Sequence, residues 1–148
     1  MKLQIALDLV TTEQALPMVE QICDVIDIVE VGTPMILREG MVPVRTLKAE
    51  FPQVTVLADT KIVDGGEIEA GDAFEAGADI ATVLAVADDA TLQGVIHAAR
   101  KYGKKVLADM ICVKNLAVRA AELDLMGIDY LCVHTGVDVQ RSGKHNRP

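Results

Sequence analysis

The chain alternates short apolar runs with longer amphipathic segments, and this rhythm constrains its fold more than any other feature. Five segments with helical periodicity separate the runs, and each is long enough for a crossover between parallel strands. Several of these segments end in a glycine, as helices often do. The runs, rich in Val and Ile as strands are, read LQIALDL, VIDIVEVG, QVTVLAD, ADIATVLA, KKVLADM and IDYLCVH. The pattern predicts a parallel sheet with right-handed crossovers.

Polar side chains at the strand ends distinguish between the two folds that such a sheet can form. They fall on strands one, two, three, five and six, whereas a doubly wound sheet collects its ligand groups at one switch point. No glycine-rich phosphate motif follows the first strand, which argues against a nucleotide cofactor. We therefore predict a single α/β domain over residues 1–148, a (β/α)8 TIM barrel of which about six βα units are present. The strand-end residues are Asp8, Glu30, Asp59, Asp109 and His134.

Composition excludes several classes of partner. The net charge is −8 and only 3% of residues are aromatic, so neither nucleic acid nor an anionic lipid surface is an expected partner. No window has the apolar length of a membrane span or a signal-peptide core, which predicts a cytoplasmic protein. The cysteines Cys23, Cys112 and Cys132 lack CxxC spacing, and we expect each to be a buried, reduced thiol.

A candidate metal site lies at the ends of strands two and three. Glu30 and Asp59 on neighbouring strands could share a hard divalent cation such as Mg²⁺, with water and substrate oxygens completing its octahedron. Lys61 lies two residues beyond Asp59, so its side chain points to the same side if the chain stays extended. Such a group would stabilise an enediolate oxygen, whereas the structural alternative is a solvated salt-bridge cluster.

Structural alternatives also exist for the other strand-end residues. Asp8 and Asp109 could each cap the helix that follows, because Asp is a favoured N-cap residue. His134 could be a hydrogen-bonded structural residue or a general base, since an unperturbed imidazole titrates close to neutral pH.

Several stretches together carry a family resemblance over residues 1 to about 143. The segments LQIALDL, IDIVEVGTP, VLADTKIVDGG, GADIATVLA, VLADMICVKNL and CVHTGVD resemble the 3-hexulose-6-phosphate synthases of the orotidine monophosphate decarboxylase superfamily of barrels. The Asp-x-Lys-x-x-Asp pattern that starts at Asp59 marks the superfamily. Its combination with EVGTP and DMI is specific to a smaller group.

The resemblance implies a Mg²⁺-dependent aldol condensation of formaldehyde with ribulose 5-phosphate. It implies that Glu30 and Asp59 bind the metal. In a homodimer, Asp64 would reach the partner subunit's site. The remaining roles that it implies are enediolate stabilisation by Lys61, transfer of the C1 proton by His134, and ordering of substrate hydroxyls by Asp8 and Asp109.

Two alternatives stay open beside the synthase. The 3-keto-gulonate 6-phosphate decarboxylases share nearly all these groups, but they carry Glu where this chain has Asp109 and Arg where it has Val137.

The family pattern also continues with two further βα units that supply the phosphate grip, so we expect the chain as given to bind substrate weakly. The alternative of another class is an inactive partial barrel that only oligomerises.

Overall fold

The structure, a computed structural model, describes residues 1–143. His145, a histidine of the tail to which the sequence assigns no role, lies outside the described residues. It contains six strands, as predicted: β1 (Gln4–Leu7), β2 (Ile28–Val31), β3 (Thr55–Ile62), β4 (Ile80–Leu84), β5 (Lys105–Asp109) and β6 (Tyr130–Cys132). Its helices are α1 (Thr12–Glu20), α2 (Thr33–Glu39), α3 (Val42–Glu50), α4 (Gly66–Glu75), α5 (Asp89–Tyr102), α6 (Leu116–Met126) and α7 (Val137–Arg141).

The strands form one sheet in the order of the sequence, β1-β2-β3-β4-β5-β6, and every neighbouring pair is parallel. In a doubly wound sheet the order in which strands are added reverses at a switch point, whereas a barrel adds each strand beside the previous one. The fold is therefore of the (β/α)8 type, with six βα units in the described part of the chain. The prediction of fold class is confirmed.

The two faces of the sheet differ in what they bury. Side chains of one parity, such as Val29, Val56 and Val106, are fully buried beneath the helices in the main core. Side chains of the other parity lie on the opposite face, where Ile28, Leu57 and Ile80 form a small separate cluster. Side chains alternate along each strand, so the polar residues two positions after Ile28, Leu57 and Ile80 must project from the same face as this small cluster, the inner face of the sheet.

Local signals set most of the helix boundaries. Thr11 caps α1 with a complete capping box, and glycines in the left-handed region end α5 at Gly103 and α6 at Gly127. Asp88 lies at the N-cap of α5 but makes no side-chain capping bond. One predicted helical segment is divided into α2 and α3, because Gly40 (φ 59°) ends the first helix.

The expectation of buried cysteines is wrong. Cys112 is exposed and Cys23 and Cys132 are only partly buried, and all three are free thiols. Cys112 lies in the loop after β5 with a φ of 63°. None of the helices within residues 1–143 has the length and apolar character needed to cross a membrane.

An aspartate directly precedes each even-numbered strand and fastens it to the strand before. The carboxylate of Asp27 accepts the backbone N–H of Leu3 at 2.7 Å. Asp79 accepts that of Val56, and Asp129 that of Val106, both at 3.0 Å. The sheet is thus held at its amino-terminal edge, the edge opposite the strand-end polar residues.

Asp79 is the most connected of these aspartates. Lys48 and Lys104 donate to its two oxygens at 2.7 and 2.8 Å. Burial opposes ionisation of Asp79, but the hydrogen bonds from Lys104 and Lys48 outweigh this effect and lower its pKa below the ordinary value. A carboxylate whose pKa is lower in the folded state stabilises the fold above its unfolded-state pKa, and that stabilisation is lost as the pH falls through the folded-state pKa.

We expect Asp79→Asn to lower the free energy of unfolding by about 1.5–3 kcal/mol at neutral pH, because it weakens charged hydrogen bonds. The difference from the wild type should shrink as the pH falls below about 4. Urea unfolding between pH 3 and pH 7, with exposed Asp124→Asn as the control, measures both effects. A difference that does not change with pH would contradict the assignment.

Candidate active site at the carboxyl ends of the strands

A cavity of about 640 Å³ opens at the carboxyl ends of the strands. Its lining comes from all six strands and the loops that follow them, as expected for a barrel site. The structure therefore brings together every predicted site residue except Asp64. The charged and titratable groups predicted from sequence that line it are Asp8, Glu30, Asp59, Lys61, Asp109 and His134.

Asp64 lies on the exposed loop between β3 and α4 and is not among the described residues that line the cavity of its own chain. Its Oδ1 accepts the backbone N–H of Gly65 at 2.7 Å. The role across a subunit interface that the resemblance implies for Asp64 stays a prediction.

The pairing of Lys61 with Asp59 depends on an irregularity in β3. The register of β3 against β4 shifts between Ala58 and Ile62, and Lys61 has a φ of 47°. The extended backbone on which the pairing was predicted is not found at Lys61, although its ammonium still reaches the Asp59 carboxylate at 2.7 Å. A left-handed conformation costs a non-glycine residue about 1–2 kcal/mol, so other contacts must hold Lys61 in place.

Those contacts come from β4 and β5. The backbone N–H of Lys61 donates to the hydroxyl of Thr82 at 2.9 Å. Its ammonium also lies 3.0 Å from Oδ2 of Asp109. Burial would lower the pKa of Lys61, but its hydrogen bonds to Asp59 and Asp109 and their negative charges outweigh burial and raise the pKa. Lys61 therefore presents a positive charge to the cavity at neutral pH.

Asp59 is 7% exposed, and two threonines that sequence reasoning missed share its carboxylate with Lys61. The Thr82 hydroxyl donates to Oδ1 at 2.9 Å. The Thr33 hydroxyl lies 2.8 Å from Oδ2 and from the backbone oxygen of Asp59. Strand parity could have identified Thr82, which lies two residues after inward-facing Ile80, whereas nothing in the sequence distinguishes Thr33.

Asp109 links Lys61 to His134. Its Oδ2 lies 2.8 Å from Nδ1 of His134, and its Oδ1 accepts the backbone N–H of Ile111 at 2.9 Å. Burial alone would raise the pKa of Asp109, but the bonds from His134, Ile111 and Lys61 outweigh it and lower the pKa. An ionised Asp109 can only accept, so Nδ1 carries the proton and Nε2 keeps its lone pair when the ring is neutral.

The structure rejects the capping alternative for both aspartates. The residue that caps α1 is Thr11 and not Asp8. Similarly, Asn115 caps α6 through a bond to the N–H of Val118, while Asp109 contacts Lys61 and His134 instead.

Glu30 lies in the same cavity with an excess of negative charge around it. Gln4 donates to its carboxylate at 2.6 Å. Burial raises the pKa of Glu30, and the charges of Asp59 and Asp8 add to that rise, although Gln4 and Lys61 oppose it. A cation beside Glu30 would relieve this repulsion.

The donor set fits Mg²⁺, a hard cation that takes oxygen ligands and keeps several waters. Glu30 and Asp59 would hold it, since both line the cavity. No group of three or more His, Cys, Asp or Glu side chains suited to a metal occurs within residues 1–143. Water and substrate oxygens would therefore have to supply the other ligands, and the shared cation stays a prediction.

Comparison with known proteins identifies the family. The model of the orotidine 5'-phosphate decarboxylase / HUMPS family matches residues 1–145. The chain belongs to this family. It is 51% identical over 146 residues to the 3-hexulose-6-phosphate synthase of Bacillus subtilis, and the match covers 99% of this chain and 70% of the relative.

Solved structures of family members agree with the fold. The 3-hexulose-6-phosphate synthase from Salmonella typhimurium superimposes with a TM-score of 0.93 at 47% identity, over 97% of this chain and 68% of that one. A 3-keto-L-gulonate-6-phosphate decarboxylase from Vibrio cholerae gives 0.86 at 32% identity, over 96% and 66%. Both activities that the sequence left open thus occur among the relatives.

We expect Thr82→Val to lower the free energy of unfolding by about 1–3 kcal/mol, because it leaves the partly buried N–H of Lys61 without an acceptor. Valine has nearly the shape of threonine, so packing changes little. Urea denaturation measures the loss, and Thr82→Ser, which keeps the hydroxyl, is the matched control. Equal losses in the two variants would show that the methyl group matters and the hydroxyl does not.

Proposed function

We propose that the chain is a 3-hexulose-6-phosphate synthase, which joins C1 of ribulose 5-phosphate to formaldehyde in a Mg²⁺-dependent aldol condensation. The observation that carries the proposal is the pairing of His134 with Asp109, beside the Lys61 ammonium, in one cavity. This is a base with a fixed tautomer next to a fixed positive charge, the arrangement needed to form and hold an enediolate.

His134 acts as the general base. The ionised Asp109 carboxylate accepts the proton on Nδ1, which leaves the lone pair of Nε2 to remove a proton from C1. The resulting carbanion, delocalised as the enediolate, attacks the carbonyl carbon of formaldehyde, and the new alkoxide takes up a proton. One carbon–carbon bond forms, and the proton taken from C1 is balanced by the one returned to oxygen.

Lys61 stabilises the negative charge that develops on the enediolate oxygen. Its ammonium is fixed by Asp59 and Asp109, so little reorganisation is needed when the charge appears. When bound by Glu30 and Asp59, Mg²⁺ would supply Lewis-acid polarisation of the substrate oxygens. Asp8, at the cavity mouth, is assigned to a substrate hydroxyl.

Two residues favour the synthase over the decarboxylase. Asp109 stands where the decarboxylases carry Glu, and Val137, which lines the cavity, stands where they carry Arg. An Arg there would place a cation or proton donor near the reacting carbon after carbon dioxide leaves, which Val cannot do.

The direct test supplies the purified chain with Mg²⁺, formaldehyde and ribulose 5-phosphate and follows loss of formaldehyde. Parallel assays measure carbon dioxide release from 3-keto-L-gulonate 6-phosphate and the oligomeric state by sedimentation. Faster release of carbon dioxide than consumption of formaldehyde would favour the decarboxylase. No turnover, with self-association, would favour the inactive partial barrel.

We expect Asp59→Ala to abolish turnover and to weaken Mg²⁺ binding. His134→Gln should leave Mg²⁺ affinity nearly intact but slow the exchange of the C1 proton by about 10²–10⁴-fold, the usual contribution of a general base. Calorimetric Mg²⁺ titration and deuterium exchange at C1 separate the two effects. An equal loss of Mg²⁺ affinity in both variants would refute this division of roles.

We propose that the active form is a homodimer in which Asp64 reaches the partner subunit's site. The supporting observation is that two large apolar side chains close to Asp64 in sequence, Val63 and Ile68, are 58% and 74% exposed. The centre of an interface between identical subunits buries apolar side chains such as these.

Mixed dimers test this role. We expect Asp64→Ala and His134→Gln homodimers to be inactive, while a dimer with one subunit of each regains activity, because one of its two sites then has both residues intact. Refolding the variants together from denaturant and assaying formaldehyde loss measures the recovery. If Asp64 acts within its own chain, the mixture stays inactive.

A further inference from the structure

The contacts among the other site residues do not explain what holds Asp8 in place. Asp8 lines the cavity and lies close enough to Glu30 to raise its pKa. Within residues 1–143, its carboxylate accepts no hydrogen bond from a side chain or the backbone. It also lies on the exposed loop between β1 and α1, a kind of segment that is usually mobile.

The backbone of this loop is held from outside the cavity by Arg38, in the last turn of α2. One guanidinium nitrogen of Arg38 donates to the backbone oxygen of Asp8 at 2.6 Å and to that of Val10 at 3.1 Å. Both contacts are charge-assisted. Arg38 thus clamps the chain on either side of Leu9, whose side chain is 82% exposed and lines the cavity mouth.

The next residue, Glu39, holds the other end of the same loop. Its carboxylate accepts the backbone N–H of Thr12 at 3.2 Å and the Thr12 hydroxyl at 2.5 Å. Two consecutive residues of α2 therefore fix the loop at its beginning and at its end.

The Asp8 carboxylate occupies the space that a side chain at position 32 would fill, which is open because residue 32 is glycine. A Cβ built on Gly32 would lie 2.1 Å from Oδ1 of Asp8 and 3.0 Å from the backbone oxygen of Leu7. The carboxylate therefore rests directly against the Gly32 backbone. With its backbone oxygen held by Arg38 and its carboxylate against Gly32, Asp8 has little freedom to move away from the cavity.

We propose that Arg38 is a positioning residue that holds the β1–α1 loop and so keeps the Asp8 carboxylate at the cavity mouth for substrate binding. The assignment of Asp8 to substrate rests on the proposed function, whereas the hold on the loop does not. Arginine suits the role because its planar guanidinium can meet two carbonyl oxygens in fixed directions, and lysine offers only a compact charge.

Steady-state kinetics of Arg38→Ala test the effect on substrate. We expect KM for ribulose 5-phosphate to rise about 10-fold, the scale of one charged hydrogen bond, with kcat within about twofold of the wild type. Arg38→Lys should recover part of the loss. Arg45→Ala, at an exposed arginine of α3 with no side-chain bond within residues 1–143, is the matched control.

A double-mutant cycle tests whether Arg38 acts through Asp8. If it does, Arg38→Ala should have little further effect on KM when Asp8→Asn is already present, because the two changes remove one function. Additive effects would overturn the proposal, as would an unchanged KM in Arg38→Ala.

Amide hydrogen exchange gives a readout that needs no activity. In Arg38→Ala, the amides of residues 8–12 should exchange faster, while those of the β3 core stay protected. Unchanged exchange in the loop would overturn the proposed hold. If the wild type shows no aldolase activity, the proposed function fails, and the exchange result alone decides whether Arg38 holds the loop.

Discussion

The arrangement of the cavity depends on a single ammonium group held between two carboxylates from non-adjacent strands. Lys61 contacts Asp59 on its own strand at 2.7 Å and Asp109 on β5 at 3.0 Å. The intervening strand, β4, contributes Thr82, which bonds to both Lys61 and Asp59. Because Asp109 also holds His134, the orientation of the proposed general base depends on the same ammonium. A loss of any one of these contacts would therefore disturb the others.

The charges in the cavity remain unequal even with Lys61 in place. Among the described residues, Asp8, Glu30, Asp59 and Asp109 outnumber the two cationic side chains that line the cavity, Lys61 and Arg141. Burial raises the pKa of Glu30, and the charges of Asp59 and Asp8 add to that rise. In a low-dielectric environment such repulsion costs more than in water. A divalent cation between Glu30 and Asp59 would lower that cost. This charge argument supports the proposed role of Mg²⁺ and does not depend on the similarity to known synthases.

The sequence was sufficient for the order of the elements, since hydrophobic runs and helix-ending glycines are local signals. It was insufficient where contacts between distant residues decide the conformation. The left-handed φ of Lys61 is stabilised by Thr82, which lies 21 residues away. No local sequence pattern predicts this conformation. The side of the chain on which Lys61 lies was predicted from an extended backbone, so the correct contact with Asp59 was reached through an incorrect conformation. Arg38 and Thr33 were missed because their partners are backbone oxygens or a carboxylate brought near only by folding.

The carboxylates at the two edges of the sheet differ in how their charges are compensated. At the amino-terminal edge, Asp27, Asp79 and Asp129 each accept a backbone N–H at or just before the preceding strand. Lysine or arginine side chains pair with the last two. At the carboxyl-terminal edge, carboxylates crowd together and raise the pKa of Glu30. Stable barrels commonly separate stability from chemistry in this way. The fastened edge lets the opposite edge keep an unfavourable concentration of negative charge, and that concentration gives the cavity its capacity for a cation. A developing oxyanion depends instead on the positive charge of Lys61.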